Sequence, residues 1–180
     1  MHVKAKELAI CGLMLALTIV CIMLGSVIET NTLFLLAAAS YAVGIVNREY
    51  GIGRASVFWV AALLLGMFLT PNKFYVISYG AMGLYILLTE ILWEFVGRMS
   101  PGKGQRRVLL VGKYVIFNII YISMIFLMGD LVLIHGHKHT ISYGTLLGLI
   151  LIGQVGIWLY DKAYQYFQGE LWGKIRRYLI

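Results

Sequence analysis

The chain is 180 residues long, 61% hydrophobic, with a mean hydropathy of +0.84. Charged residues make up 13%, about half the share of an ordinary soluble domain, which excludes a water-soluble globular fold. Lys and Arg outnumber Asp and Glu by 15 to 8, but the basic residues gather in loops between apolar runs. That pattern signals membrane topology and anionic lipid headgroups rather than nucleic acid.

Six apolar segments follow one another, at residues 8–28, 33–46, 55–69, 74–95, 108–128 and 143–160. They predict an all-α integral membrane protein with six transmembrane helices, a single polytopic domain over 1–180 in the cell membrane. The first segment follows Lys4 and Lys6 as a signal peptide would. It is too long for a signal h-region, and Glu29-Thr30-Asn31 offers no small-x-small cleavage site, so a retained first helix is expected. Cys11 and Cys21 lie on that one helix, too far apart along it to pair. At about 1.5 Å per residue, the first, fourth and fifth segments can cross about 30 Å of hydrocarbon. The second and third are short and need their polar flanks, a thinned bilayer or burial among neighbours. Four full spans with a re-entrant pair is the alternative arrangement.

Basic residues fix the expected orientation. Lys4, Lys6, Arg48, Arg54, Arg98, Lys103, Arg106, Arg107, Lys113, Lys162, Lys174, Arg176 and Arg177 fall on one side, leaving only Lys73 and Lys138 on the other. The positive-inside rule then puts both termini in the cytoplasm and the 1–2, 3–4 and 5–6 loops outside. The stretch 97–107 contains Pro101 and several glycines and reads as a cytoplasmic linker. Residues 161–180 mix Tyr164, Tyr166, Phe167 and Trp172 with Lys174, Arg176 and Arg177, the composition of an amphipathic helix lying on the membrane surface.

Signatures of catalysis are few. No His-Glu-x-x-His is present, and Asp130 and Asp161 are the only aspartates, which rules out an aspartate-cluster phosphotransferase. The pairs Gly102-Lys103, Gly112-Lys113 and Gly173-Lys174 lack phosphate-loop spacing, so an ATPase would be a separate chain and no cofactor is expected. Glu90 and Glu94 stand one turn apart near the cytoplasmic end of the fourth segment. They read as an interfacial anchor or partner contact in preference to an acid/base pair. His135, His137 and His139 in the outward 5–6 loop have metal-ligand chemistry, with Asp130 as a further donor. Lys138 between them opposes it, and a solvated polar loop is the favoured reading.

Polar groups within the spans carry more information, because exposing them to lipid is costly. The corner Thr70-Pro71-Asn72-Lys73 breaks two apolar runs and leads into Tyr75 and Tyr79, spaced one helical turn apart. Tyr114, Asn118 and Tyr121 line one face of the fifth segment, and Gln154 lies in the sixth. Interhelical hydrogen bonding accounts for Gln154. For Asn72, Lys73, Tyr75, Tyr79, Asn118 and Tyr121, packing and a ligand site compete evenly. Small residues mark close-packing faces at Gly144-x-x-x-Gly148, Ala5-x-x-x-Ala9 and Gly12-x-x-x-Ala16, serving either internal packing or a membrane partner.

Six helices, internal termini and the opening Lys4-Ala-Lys-Glu-Leu-Ala-Ile-Cys-Gly-Leu-Met-Leu-Ala16 resemble the substrate-binding S components of energy-coupling-factor transporters. The resemblance spans the whole chain in layout. It implies that Ala5, Ala9, Gly12 or Ala16 contact a transmembrane coupling subunit, itself joined to ATPase subunits. It also implies a small-molecule site near the outer face, bringing in Glu29, Asn31, Asn72, Lys73, Asp130 and the outer tyrosines. Met1-His2 matches the start of nickel and cobalt members, but Lys4 and Lys6 place it inside, which counts against a metal substrate. The expected function is capture of a micronutrient or other small metabolite for ATP-driven uptake, with Lys73 the counter-charge for an anionic group. A structural subunit, laid out like the rod-shape-determining membrane proteins, is the first alternative. A small membrane enzyme or lipid-handling protein is the second.

Overall fold

The computed structural model describes residues 2–97, 102–133 and 143–174, and these are helical throughout apart from short turns. Six helices follow in order: α1 His2–Val27, α2 Thr32–Tyr50, α3 Ile52–Leu69, α4 Lys73–Gly97, α5 Lys103–Leu133 and α6 Tyr143–Tyr166. A 3₁₀ turn, Glu29–Asn31, joins α1 to α2, and a π-helical turn, Phe167–Trp172, continues α6. Among the described residues, four stretches are long and apolar enough to cross a membrane: Ala5–Val27, Ile52–Leu69, Lys73–Gly97 and Gly104–Ile125. The chain divides into two units, Met1–Lys113 and Tyr114–Ile180, with the boundary inside α5.

In the first unit α2 is the centre, packed by α1, α3 and α4. Residues 39–47 are buried without interruption, so this half of the helix is enclosed on every side, while Leu33 and Phe34 in its first turn are exposed. This is the arrangement expected of a helix with no polar stripe. Neighbouring helices surround this half of the short segment. Around it, Leu8, Leu13, Leu17, Val57, Leu64, Phe68 and Phe95 are exposed, an outer surface that suits hydrocarbon.

Each junction has a local cause. The hydroxyl of Thr32 donates to the carbonyls of Gly25 (2.9 Å) and Ile28 (3.2 Å), closing the end of α1. Gly51 alone separates α2 from α3, at φ 86° and ψ 167°, a conformation open in practice only to glycine. Between α3 and α4, Thr70 is extended and its N–H still donates to Gly66 O at 2.9 Å. At the next corner, Gln105 Nε2 donates to Val96 O at 3.2 Å and ties the start of α5 to the end of α4. The helix of α5 thus begins inside the stretch expected to be linker.

Helices α3 and α4 pack antiparallel along a seam of glycines. A Cβ on Gly83 would lie 2.6 Å from Trp59 Cδ1, one on Gly80 2.9 Å from Leu63 Cδ2, and one on Gly66 3.1 Å from Val76 Cγ1. Each glycine is therefore a notch filled by a larger side chain of the facing helix. Trp59 is further held by its indole N–H, which donates to Gly80 O at 3.2 Å. Without a hydrophobic force between helices in lipid, such close fit supplies cohesion.

In the second unit, α6 runs through Asp161 without a break, so the stretch expected to lie as a separate surface helix begins as its continuation. Gln154 Nε2 donates to Asn118 Oδ1 at 2.7 Å, joining α6 to α5. Gly153 admits the ring of Tyr121, whose Cε1 would lie 2.7 Å from a Cβ there. Among the described residues, nothing lies within 4 Å of a Cβ at Gly148.

Candidate functional site

The corner between α3 and α4 holds four of the six residues expected to bind ligand. Asn72 immediately precedes α4, and its Oδ1 accepts the backbone N–H of Phe74 at 3.1 Å. It is the N-cap of that helix, satisfying a donor the first turn leaves open. Lys73 reaches back instead of outward. Its ammonium donates to Thr70 O at 2.8 Å and to Met67 O, carbonyls that the end of α3 leaves without helical partners. One residue thus starts α4 and the next closes α3.

Tyr75 is half-buried, one turn into α4, and Ser78 returns its hydroxyl to Phe74 O at 3.0 Å. Tyr79 is fully buried, and no hydrogen-bond partner for its hydroxyl is found among the described residues. A buried hydroxyl without a partner costs about 1–3 kcal/mol. Thr70 Oγ1 and Thr18 Oγ1 share that condition within the same unit. At the corner Asn72 and Lys73 are exposed and Tyr75 is half-buried, whereas Tyr79 is fully buried.

Asn118 and Tyr121 belong to the second unit. Asn118 uses both ends of its amide, Nδ2 donating to Tyr114 O at 2.8 Å while Oδ1 accepts from Gln154. Tyr121 stacks on Phe117 with ring centroids 5.1 Å apart. His135, His137 and His139 lie outside the described residues, as do the side chains of Glu29 and Asp130. Among the described residues, no cluster of three His, Cys, Asp or Glu side chains is placed to hold a metal ion.

The opposite end of the first unit carries charge that sequence spacing could not pair. Glu90 lies 17 residues after Lys73 on α4, roughly 25 Å along its axis. Its carboxylate accepts Arg48 Nη2 at 2.8 Å and Nε at 3.2 Å, a fork-like contact from α4 to α2. Glu90 is therefore an internal ion-pair partner, and its side chain is only 9% exposed. Arg54 pairs with Glu7 at 2.7 Å, linking α3 to α1, and its guanidinium stands 5.6 Å from the Tyr50 ring centre. Burial, reinforced by Cys11, Glu49 and Glu7 and opposed by Arg54, raises the Tyr50 phenol above its ordinary pKa.

The outer face of α1 differs from all of these. Met14, Thr18 and Ile22 face the unit's interior, while Ala5, Ala9, Gly12 and Ala16 are exposed on the far side. A Cβ on Gly12 would meet no atom within 4 Å. Among protein-family models, curated proteins and solved structures, no match to this chain is found.

Proposed function

We propose that the chain is the solute-capturing subunit of an ATP-driven uptake system, with six spans, both termini cytoplasmic and the ATPase on separate chains. The observation that carries this reading is the bare face of α1. Ala5, Ala9, Gly12 and Ala16 form a row of small side chains that nothing in the first unit covers, whereas Gly66, Gly80 and Gly83 are filled. A coupling subunit in the membrane is the natural occupant of such a face, because small residues allow the closest helix approach. The α3–α4 corner is the capture point, where Lys73 has a third ammonium donor to offer an anion beyond the two that hold α3.

Affinity purification of the full chain, with mass spectrometry of everything retained, tests the proposal. A membrane subunit, an ATPase and a small solute are expected with the native chain. Gly12→Leu is expected to lose the protein partners and keep the solute. A chain that purifies alone and empty overturns the reading. The capping roles of Asn72 and Lys73 favour a second one, a scaffold subunit whose corner is purely structural. In that case Lys73→Ala leaves function intact, and partners without ATPase character are recovered.

A further inference from the structure

A groove of about 350 Å³ opens on the outside of the first unit between α4 and α5, lined by Leu92, Arg107, Val108, Val111 and Gly112. Its walls are apolar, and its one charged member is Arg107. The spacing on α5 explains the shape. Arg107 and Val111 are one turn apart, as are Val108 and Gly112, so the four form a single stripe down the helix. Gly112 supplies the depth: a Cβ there would lie 2.5 Å from Leu92 Cδ2, so its absence lets Leu92 settle against α5 and leaves Val108 and Val111 standing as a wall. Gln105, bonded to Val96 O, fixes this end of α5 and with it the position of Arg107.

Polarity along the groove is ordered. Arg107 lies near the start of the apolar stretch Gly104–Ile125, and Val111 and Gly112 follow about 6–8 Å further along the axis. Charge thus stands at the polar end of a channel whose remainder is hydrocarbon-like. Arg106 is adjacent, Arg107 is exposed, and neither forms an ion pair among the described residues. We infer that the α4–α5 groove is a binding site for one anionic phospholipid, its phosphate forked by the Arg107 guanidinium and its upper acyl chain lying against Leu92, Val108 and Val111. Guanidinium suits this role because its planar donors match phosphate oxygens two at a time. A basic residue at the mouth of an apolar cleft between helices, on the charge-rich side, is what anionic headgroups select. The inference rests on the chain being membrane-embedded and is independent of what solute, if any, it captures.

The test uses the purified full chain in mild detergent, titrated with phosphatidylglycerol or with phosphatidylcholine of identical acyl chains. Bound lipid is counted by native mass spectrometry. One phosphatidylglycerol is expected to be retained in preference to phosphatidylcholine by about fivefold, the effect of a single basic charge at an anionic surface. Arg107→Gln is expected to remove the preference, and Arg106→Gln, one step off the groove, to keep it. Val111→Trp, which fills the groove and preserves the charge, is expected to lower retention of both lipids. Both Arg107 and Val111 are exposed, so folding is expected to survive, as an unchanged helical circular dichroism spectrum checks. Equal retention of the two lipids by the native chain overturns the inference. Equal losses from Arg106→Gln and Arg107→Gln overturn it as well, since they mark a diffuse surface attraction without a site.

Discussion

Two rows of small residues run through the first unit, and they meet opposite fates. On the α3–α4 seam, Gly66, Gly80 and Gly83 are each occupied, by Val76, Leu63 and Trp59. On α1, Ala5, Ala9, Gly12 and Ala16 are exposed, and among the described residues nothing lies within 4 Å of a Cβ at Gly12. Both sets consist of small residues, although the seam draws its glycines from two helices. What differs is the presence of a complementary knob at the right height on a neighbouring helix. A small residue licenses close approach, but only the facing side chain decides whether the approach happens within the chain or is left for another molecule.

Substitution at the seam separates these cases most sharply. Gly83→Leu places bulk against a ring already held by its hydrogen bond to Gly80 O. Overpacking and the lost bond together are expected to cost about 3–4 kcal/mol, read as a fall in unfolding free energy in detergent. A change under about 1 kcal/mol would mean the seam is loose and the contrast unreal. Next comes the ion pair behind the seam. Arg48 is 40% exposed and Glu90 only 9%, so removing the arginine strands the more buried charge. Arg48→Met is expected to cost about 2–3 kcal/mol, below the 3–5 of a fully buried pair. Glu90→Leu is expected to cost less, because Arg48 still reaches solvent. The reverse order would show that the pair's geometry has been misread.

Smaller effects are expected at the turn and on the outer face. Gly51→Ala forces a Cβ into a backbone region reserved for glycine, at about 1–2 kcal/mol. Wild-type thermal stability in this variant would mean that the α2–α3 turn relaxes freely. Gly12→Leu is expected to change stability by less than about 0.5 kcal/mol, the range of uncommitted surface positions. If it instead destabilises the isolated chain as Gly83→Leu does, the α1 face is packed internally and the comparison collapses.

Much of the helical layout is legible in the chain because its causes are local. Apolar runs locate the helices, and Pro71 marks where one of them must turn, while the role of Gly51 between α2 and α3 emerges from the structure. The capping roles of Asn72 and Lys73 were legible too, since an amide directly before a helix is the standard N-terminal signal. Arg48 and Glu90 were not pairable from sequence: 42 residues separate them, and no period connects one helix to another. Gly80 and Gly83 stand three residues apart and lack the four-residue small-residue signature, yet their notches are filled, whereas among the described residues nothing lies within 4 Å of a Cβ at Gly148. Within the candidate site, local spacing placed Tyr75 and Tyr79 on one helix, but only packing separates the accessible ring from the sealed one.

The enclosure of α2 has a consequence for how the chain is made. The buried stretch 39–47 is synthesised before the last of its neighbours exists. Arg48 emerges from the ribosome 42 residues ahead of Glu90, an interval of about 2–8 s at ordinary synthesis rates. During that interval the hairpin across Gly51 has no α4 against it, and the arginine has no carboxylate. Until α4 is made, the buried stretch of α2 lacks one of the three helices that enclose it.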